Sequence, residues 1–380
     1  MKRKITVTTG TRSEYGILHN ILKKIDSNKN LELILIVAGM HFSKKHGNTW
    51  MQIINDGLKI NAKVKMIPKG NTPYHMSKAL GKGIIEFSEI FQKYIPDVNV
   101  ILGDRDEALA SALAASHMNI PNAHIHGGEK TQGIDEYNRH ALTKISNFHF
   151  AATKKSQERI IKMGENPKNV IFTGSPSIDN IVEENFATKE EIELKYNLKF
   201  SGKQILLIQH PVTSQYKESK KQILNTLNAV VSLKHPIIVI APNSDAGNKE
   251  IFDVLNEFKK KFKFIKLYPS IPRYDYLGLL NNCSILIGNS SSGLIEGEYF
   301  NMPVINIGIR QKGRERGVNV IDIENPSIDK IRKVVINSLK EKNKEKKSFM
   351  YGKGNASEKI VKFLEKVKID ETTIQKQILY

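Results

Sequence analysis

Short apolar segments alternate with segments of helical period along most of this chain of 380 residues. Apolar residues that recur three and four positions apart predict helices at residues 15–25, 77–93, 107–117, 135–145 and 155–163. The strands predicted around them are at residues 5–9, 32–37, 99–102, 122–125, 148–151 and 169–173. Because strands that alternate with helices are joined by right-handed crossovers, this pattern predicts a doubly wound parallel sheet.

The same alternation restarts after a polar, charged stretch at residues 183–202. A second set of strands is predicted at residues 204–208, 237–240, 264–267, 284–287 and 303–307, with helices near 219–233, 248–260, 274–281 and 292–300. We therefore expect an α/β fold of two doubly wound, Rossmann-like domains, residues 1–178 and 200–355, with a C-terminal helix and tail at 356–380. The two domains would face a central cleft at the carboxyl ends of both sheets, where ligands of such sheets bind.

The formal net charge of +19 raises the question of a nucleic-acid partner. Lysine-rich runs at residues 217–221, 259–263 and 340–347 are interleaved with glutamate or apolar residues on predicted amphipathic helices. They lack the interleaved aromatic residues of a single-strand platform. The pattern favours solvated helix faces and no nucleic-acid partner, while a general positive field favours an anionic substrate.

The apolar runs are far shorter than the ~20 residues that span a bilayer, and the first residues lack a signal-peptide core. The single cysteine, Cys283, fits a reducing compartment. Its position before a predicted strand favours a buried role over a reactive thiol. We expect a cytoplasmic protein without a membrane partner.

Acidic residues, arginines and histidines concentrate at residues 103–140, mostly where predicted strands end. Asp104 follows a strand, so its carboxylate can face the cleft, whereas Asp106 and Glu107 suit the first turn of the next helix. Charges gathered at strand ends are costly to fold around unless a ligand uses them. We therefore expect the chemistry in this region.

His124, His126 and Glu129 follow the next strand. On an extended segment both histidines point to one face, and the glycines at 127–128 can turn Glu129 back toward the cleft. Three interpretations stay open from the residues alone. Two histidines and a carboxylate can hold zinc, Glu129 can do acid–base work, or the histidines are structural.

Asp135 and Glu136 begin the helix predicted from residue 135. Their neighbours at i,i+4 are Arg139 and His140, so surface ion pairs are one interpretation. The position of Glu129 six residues earlier favours another, in which a second acid faces the same pocket.

Loops after the first strand of each half carry features of an anion site. Arg12 lies between Gly10 and Gly16 at the start of a helix, where N–H groups can bind phosphate, although a tight turn capped by Ser13 explains the same pattern. His210 follows the strand at 204–208 and can contact a phosphate or act as an acid.

The segment at residues 288–296 contains three serines at the start of a helix. Ser290 and Ser291 suit a diphosphate, and Glu296 can accept the two hydroxyls of a ribose. Serine-rich helix capping is the alternative interpretation, and no Walker motif is present. Arg310 and the segment 313–319 add cations nearby.

Eight short motifs occur in an order that resembles the hydrolysing UDP-N-acetylglucosamine 2-epimerases of sialic-acid biosynthesis, over about residues 4–366. They are Thr-Gly-Thr-Arg at 9–12, Gly-Asp-Arg at 103–105, His-Gly-Gly-Glu at 126–129, Ile-Asp-Glu-x-x-Arg-His at 134–140, Gly-Ser-Pro at 174–176, His-Pro at 210–211, Asn-Ser-Ser-Ser-Gly at 289–293 and Gly-Arg-Glu-x-Gly-x-Asn-Val at 313–320.

The resemblance implies a glycosyltransferase-B-type fold whose final helix crosses back to the first domain, and it implies no metal or other cofactor. It also implies a reaction in which UDP-N-acetylglucosamine loses UDP by elimination across carbons 1 and 2. Water then adds, carbon 2 is reprotonated from the other face, and N-acetylmannosamine leaves. Family analogy also implies a homodimer.

Site roles follow from the resemblance by motif. The acid–base candidates that it implies are Asp104, Glu129, Asp135 and Glu136, and motif order favours Asp135 within the last pair. It places His210 near the departing diphosphate. The nucleotide-binding residues that it implies are Arg12, Ser290, Ser291 and Glu296, with Arg139 and Arg310 as supporting cations.

Alternative functions stay open beside this one. The same reaction on UDP-2,4-diacetamido-2,4,6-trideoxyglucose, on the route to legionaminic acid, uses the same motifs. Asn138 before Arg139 is closer to the non-hydrolysing branch, which releases no free sugar. A glycosyltransferase or a non-catalytic binding module can use the same cleft.

Overall fold

The computed structural model describes residues 2–70, 72–340 and 348–379. Seven parallel strands form the first sheet, in the order β3-β2-β1-β4-β5-β6-β7. Its strands are β1 (Arg3–Thr9), β2 (Leu31–Ala38), β3 (Ala62–Val64), β4 (Val98–Leu102), β5 (Asn122–Ile125), β6 (Phe148–Ala151) and β7 (Val170–Phe172). The helices of this part of the chain are α1 (Arg12–Asp26), α2 (Trp50–Asn55), α3 (Pro73–Tyr94), α4 (Asp106–His117), α5 (Ile134–Ile145) and α6 (Lys154–Lys162).

Two short helices connect this sheet to a second one, α7 (Asp179–Val182) and α8 (Lys189–Tyr196). The second sheet has six parallel strands in the order β10-β9-β8-β11-β12-β13. Its strands are β8 (Ile205–Ile208), β9 (Ile237–Ile240), β10 (Ile265–Tyr268), β11 (Ile285–Gly288), β12 (Val304–Ile307) and β13 (Val320–Ile323). The remaining helices are α9 (Ser219–Val231), α10 (Asn248–Lys261), α11 (Arg273–Asn282), α12 (Ser291–Glu296), α13 (Ile328–Lys340), α14 (Ala356–Lys366) and α15 (Glu371–Ile374).

Both sheets are buried on both faces, which is why their central strands are almost continuously apolar. This confirms the prediction of an α/β fold with two doubly wound parallel sheets. In each sheet the strand order reverses once, between β1 and β4 and between β8 and β11. Loops that leave neighbouring strands in opposite directions open a crevice at such a point, so the two reversals position the site.

The last long helix, α14, packs against α1 and contributes Ile360, Val361 and Leu364 to the core under the first sheet. Arg3 in β1 donates to the Leu364 carbonyl at 2.5 Å and to the Glu365 carbonyl at 3.2 Å. The end of the chain is thereby attached to the sheet that the start of the chain forms.

The alternation in the sequence did not predict β3 and β13, each of which lies at one edge of its sheet, although it did predict β7 and β10 at the other edges. Edge strands are covered less than central ones, so their sequences carry polar residues. Lys63 lies in β3, and Asp322 in β13 is exposed and accepts a hydrogen bond from Asn306. Helices α2, α8 and α13 were also not predicted.

The lysine run predicted on a helix at 340–347 joins α13 only at Lys340, because residues 341–347 lie outside the described residues. Among the helices of the described residues, none combines the length and the apolar content needed to cross a bilayer.

Candidate active site

The cleft between the two sheets is lined from the ends of β1, β4, β8 and β11 and contains about 1360 Å³ of space, open solvent included. At the second reversal of strand order, two loops are joined directly. The His210 backbone N–H donates to Asn289 Oδ1 at 2.7 Å, and Asn289 Nδ2 donates back to the His210 carbonyl at 2.9 Å. The loop after β8 and the loop after β11 therefore have a fixed relation to each other.

Arg139 joins the acids that follow β4 and β5. It lies on α5 and is 1% exposed, so its charge requires partners. Its Nη2 binds the Asp104 carboxylate, its Nη1 donates to the His126 carbonyl at 2.6 Å, and Nη1 lies 3.7 Å from Glu129 Oε2. From the sequence, Arg139 was expected to form a surface ion pair with Asp135 or to support nucleotide binding. The structure places it between Asp104 and Glu129 instead.

Glu129 is almost completely enclosed, with 2% of its surface exposed. Its Oε2 binds Arg314 Nη2, and His126 Nδ1 lies 3.4 Å from its Oε1. Burial alone would raise the pKa of Glu129, but Arg314, His126 and Arg139 outweigh it and hold the pKa below its usual value. Glu129 is therefore ionised at neutral pH, and its Oε1 has no hydrogen-bond donor among the described residues.

His124, in β5, and His126, just after it, do not share a ligand. His124 Nε2 lies 2.7 Å from the Gly103 carbonyl, whereas His126 Nε2 lies 2.9 Å from Ser175 Oγ. His126 has a positive φ of 66°, so the chain has left the extended conformation on which the shared face was predicted. Within residues 2–70, 72–340 and 348–379, no group of three metal-ligating side chains is arranged to hold an ion.

Asp135 and Glu136, adjacent in sequence, lie in different surroundings. Asp135 accepts a hydrogen bond from Arg310 Nη2 at 2.9 Å. Burial, with Asp104 nearby, raises the pKa of Asp135 to about 7 against the opposing effect of Arg310. Glu136 instead accepts from the Thr131 backbone N–H at 2.7 Å and lies 3.2 Å from His140 Nε2. The structure therefore brings Asp135 to the other acids and turns Glu136 toward its own loop.

His210 lies at the edge of the cleft, as its position after β8 predicts. Its Nδ1 accepts a hydrogen bond from the Asn243 backbone N–H at 3.1 Å, which leaves the proton on Nε2. Burial, and then the charge of Arg310, lower the pKa of His210 to about 3. A neutral ring with its N–H directed away from Asn243 is suited to donate a hydrogen bond to an anionic ligand.

Arg12 begins α1, and Thr11 rather than Ser13 caps this helix by accepting from the Glu14 N–H. The Arg12 guanidinium lies 5.6 Å from the centre of the Tyr276 ring and has no ion-pair partner among the described residues. Burial lowers its pKa to about 10, which still leaves it charged. An arginine without a carboxylate in a cleft is a ready site for a phosphate.

The serines after β11 line the same part of the cleft. Ser290 Oγ lies 2.8 Å from Ser292 Oγ, which in turn lies 2.5 Å from the Tyr276 hydroxyl, while Ser291 begins α12. Glu296 ends this short helix. One oxygen accepts from Arg273 Nη1 at 2.7 Å, and the other is buried without a hydrogen-bond partner among the described residues.

Burial raises the pKa of Glu296, although Arg273 opposes the rise. Arg273 also donates to the Ser177 carbonyl at 2.8 Å, and the absence of a side chain at Gly16 makes room for it, since a Cβ there would meet its side chain at 2.8 Å. The free oxygen of Glu296 is therefore held in place with an acceptor position open.

Several residues of the cleft were not predicted from the sequence. Arg105 Nη2 binds Asp245 Oδ1 at 3.2 Å across the cleft, and its Nε lies 3.4 Å from Glu107. Burial, with Glu107 nearby, raises the pKa of Glu14 to about 8. Arg105 is part of the Gly-Asp-Arg motif at residues 103–105, so this motif could have identified it. Asp245 had no motif, and only its position shortly after β9 marked it.

Comparison with known proteins identifies relatives of this chain along most of its length. A family profile described as UDP-N-acetylglucosamine 2-epimerase matches residues 23–365. The UDP-N,N'-diacetylbacillosamine 2-epimerase (hydrolyzing) of Legionella pneumophila is 35% identical over 379 residues, which cover 99% of each chain. The GDP/UDP-N,N'-diacetylbacillosamine 2-epimerase (hydrolyzing) of Campylobacter jejuni is 34% identical over 331 residues, 86% of each chain.

A solved structure has the same fold. The crystal structure of Methanocaldococcus jannaschii UDP-GlcNAc 2-epimerase in complex with UDP-GlcNAc and UDP matches with a TM-score of 0.80 and 22% identity, and the match covers 95% of this chain and 99% of that one. The family that the ordered motifs resemble is thus confirmed by sequence along nearly the whole chain. This protein belongs to the UDP-N-acetylglucosamine 2-epimerase family.

Proposed function

We propose that this protein is a hydrolysing 2-epimerase of a UDP-linked 2-acetamido sugar. The observation that carries the proposal is that the pKa values of two acids, Glu129 and Asp135, are shifted in opposite directions. The pKa of Glu129 is held low by Arg314, whereas burial raises that of Asp135 to about 7. Two carboxyls with separated pKa values can take a proton at one place and give a proton at another.

The reaction needs one base, one acid and stabilisation of a leaving group. The bond from carbon 1 to the diphosphate breaks, the proton on carbon 2 is removed, and a 1,2-unsaturated sugar and UDP result. Water then adds its oxygen to carbon 1, while carbon 2 receives a proton on the opposite face. The sum is UDP-sugar plus water giving the free 2-epimer plus UDP.

The structure supports specific roles for these steps. Glu129, ionised and with one oxygen free of hydrogen bonds, is the proposed base at carbon 2. Asp135, close to half protonated at neutral pH, is the proposed acid. Asp104 is the third candidate, and Arg139 fixes its distance from Glu129. Glu136 has no proposed catalytic role because its carboxylate is occupied by Thr131 and His140.

The nucleotide is proposed to bind to residues that follow strands of the second sheet, together with Arg12 after β1 of the first. Arg12 supplies an unpaired cation, Ser290 and Ser291 supply hydroxyls, and the Nε2–H of His210 can donate to the departing diphosphate. The free oxygen of Glu296 can accept from ribose hydroxyls. Arg310, which contacts Asp135, is the cation located between the two sets of residues.

The substrate within this class is also a proposal. Motif order alone favoured UDP-N-acetylglucosamine. The Legionella and Campylobacter relatives are named for diacetylbacillosamine, and they align with 99% and 86% of this chain. We therefore propose the 2,4-diacetamido-2,4,6-trideoxyglucose nucleotide as the preferred substrate and UDP-N-acetylglucosamine as the second candidate.

Incubation with each nucleotide sugar in deuterium oxide, followed by proton NMR, tests the proposal. We expect UDP and a free sugar of inverted configuration at carbon 2, with deuterium at that carbon and faster turnover of the diacetamido substrate. An epimer still attached to UDP would establish the non-hydrolysing alternative. Transfer that requires an acceptor and leaves carbon 2 undeuterated would establish a glycosyltransferase, and absence of turnover with both substrates would contradict the proposal.

A further inference from the structure

The loop between β12 and β13 reaches from the second sheet to the acids of the first. Arg314, in this loop, binds Glu129, which lies 185 residues earlier in the chain. The side chain of the next residue, Glu315, is 7% exposed and faces another element. Its carboxylate binds Arg159 Nη2 at 2.5 Å and accepts hydrogen bonds from the hydroxyls of Thr153 and Ser156.

Glu315 therefore lies at the start of α6, where Thr153 is the N-terminal cap. A carboxylate at this end of a helix is stabilised by the unpaired N–H groups and the helix dipole. The Tyr351 hydroxyl fixes the same residue from the other side by donating to its backbone carbonyl at 2.7 Å. Side chain and backbone of Glu315 are thus both held next to Arg314.

Arg159 completes a closed set of contacts around Glu129. While its Nη2 binds Glu315, its Nη1 donates to the Gly128 carbonyl at 2.8 Å, immediately before Glu129 in the chain. Gly128 has a φ of +72°, and a Cβ at this position would lie 2.3 Å from the Ser156 carbonyl. The backbone that carries Glu129 is therefore pressed against α6 and held there by the arginine that also holds Glu315.

We propose that Glu315 is a positioning residue for Glu129. By binding Arg159 and the start of α6, it places Arg314 against the carboxylate that removes the proton from carbon 2. This inference rests on the proposed function for the role of Glu129, and it adds that this base is held in place from the second domain through Glu315 as well as through Arg314.

The test compares Glu315→Gln with wild type. Glutamine keeps the size of the side chain but loses the charge that binds Arg159. We expect kcat to fall about tenfold to a hundredfold, because small displacements of a reacting group have effects of this size. The KM and the Kd for UDP stay within about twofold, because no contact of Glu315 reaches the nucleotide-binding residues.

The pH profile separates positioning from a merely structural role. Arg314 keeps the pKa of Glu129 low, so a loosened Arg314 lets that pKa rise. Because the base acts only when ionised, the acidic limb of the kcat profile moves to higher pH in Glu315→Gln. Arg159→Met should show the same move, Arg159→Lys a smaller one, and the double variant no more than the larger single effect.

Lys312→Met is the matched control. Lys312 lies in the same loop, but its partner Glu324 is 3.0 Å away in the second domain and both side chains are half exposed. We expect its kcat and pH profile to equal those of wild type. An unchanged kcat in Glu315→Gln, an acidic limb that stays in place, or an equal effect of Lys312→Met would each overturn the proposal.

Two further measurements distinguish a loss of positioning from misfolding and from a failure of the proposed function. Thermal unfolding shows whether each variant is folded, and Arg159→Lys takes over the test if Glu315→Gln is not. Amide hydrogen exchange of residues 126–136 should be faster in Glu315→Gln than in Lys312→Met. If wild type releases no sugar, the proposed function fails while the exchange experiment still decides whether Glu315 holds this loop.

Discussion

Two sets of polar residues lie in the cleft, and they differ in how their charges and polar atoms are paired. The acid cluster comprises Asp104, Glu129 and Asp135, each bound to at least one arginine. The nucleotide cluster comprises Arg12, His210, Ser290, Ser291 and Glu296. Here Arg12 lacks an ion pair, His210 Nε2 lacks an acceptor and one Glu296 oxygen lacks a donor among the described residues.

The difference indicates that the acid cluster is preorganised for the reaction, whereas the nucleotide cluster recognises the ligand. Buried polar groups without partners are costly, so a protein keeps them where a ligand completes them. The nucleotide cluster has such open positions and is therefore expected to determine affinity. In the acid cluster the charges are already compensated by Arg139, Arg310 and Arg314, and the open position is Glu129 Oε1, the proposed base, so this cluster is expected to determine rate. Variants on the two sides should accordingly change kcat and Kd separately.

The largest effect is expected for Glu129→Gln. The amide keeps the shape of the side chain but cannot take a proton from carbon 2, so kcat should fall by roughly 10²–10⁴-fold. Isothermal titration with UDP should give a Kd close to that of wild type, because Glu129 belongs to the acid cluster. Parallel loss of UDP affinity would break the separation between the two clusters.

Asp135→Asn should have the next largest effect, about a hundredfold on kcat. The raised pKa of about 7 means that Asp135 holds a proton below neutral pH and loses it above. As an acid it acts only when protonated, so the wild-type rate should fall as pH rises through about 7. Steady-state rates of wild type from pH 5 to 9 test for this fall in rate. The residual activity of Asp135→Asn should not show it.

Arg12→Met tests the nucleotide cluster. A charge-assisted hydrogen bond contributes about 1.5–3 kcal/mol, so UDP should bind roughly 10- to 100-fold more weakly. At saturating substrate kcat should change little. Titration of UDP into Arg12→Met and into wild type gives the Kd ratio, and an unchanged Kd would show that this arginine does not hold the phosphates.

Glu136→Gln should have the smallest effect and is the control for Asp135. Its carboxylate accepts from Thr131 and contacts His140, and glutamine can still accept the first hydrogen bond. We expect kcat within about threefold of wild type, the size of change typical of surface substitutions. A loss as large as that of Asp135→Asn would contradict the proposal that Asp135, and not Glu136, is the catalytic acid.

Whether a feature of the fold or of the site could be predicted from the sequence depends on how far apart in the chain the interacting residues lie. Local periodicity predicted the central strands, because buried parallel strands are apolar along their whole length. It missed two of the four edge strands, β3 and β13, where exposure admits Lys63 and Asp322. Position after a strand also predicted that Asp104 and His210 reach the cleft, since all carboxyl ends of a parallel sheet meet at one edge.

The charge balance of the site was not predictable in this way. Asp135 and Glu136 are adjacent on the first turn of a helix, and apart from the motif order, which favours Asp135, no local physical feature of the sequence separates them. Arg310 decides the matter by binding Asp135 from 175 residues away. Arg314 was identified only as a nearby cation, because its contact with Glu129 joins the loop after β12 to the loop after β5 and exists only when the two sheets have folded and come together.

The central claim is that this cleft exchanges a proton at carbon 2 while it releases UDP. Mass spectrometry of the sugar released by wild-type protein in deuterium oxide tests this claim most directly. We predict one deuterium per molecule of free sugar, located at carbon 2. Released sugar that retains its original hydrogen at carbon 2 would contradict the account.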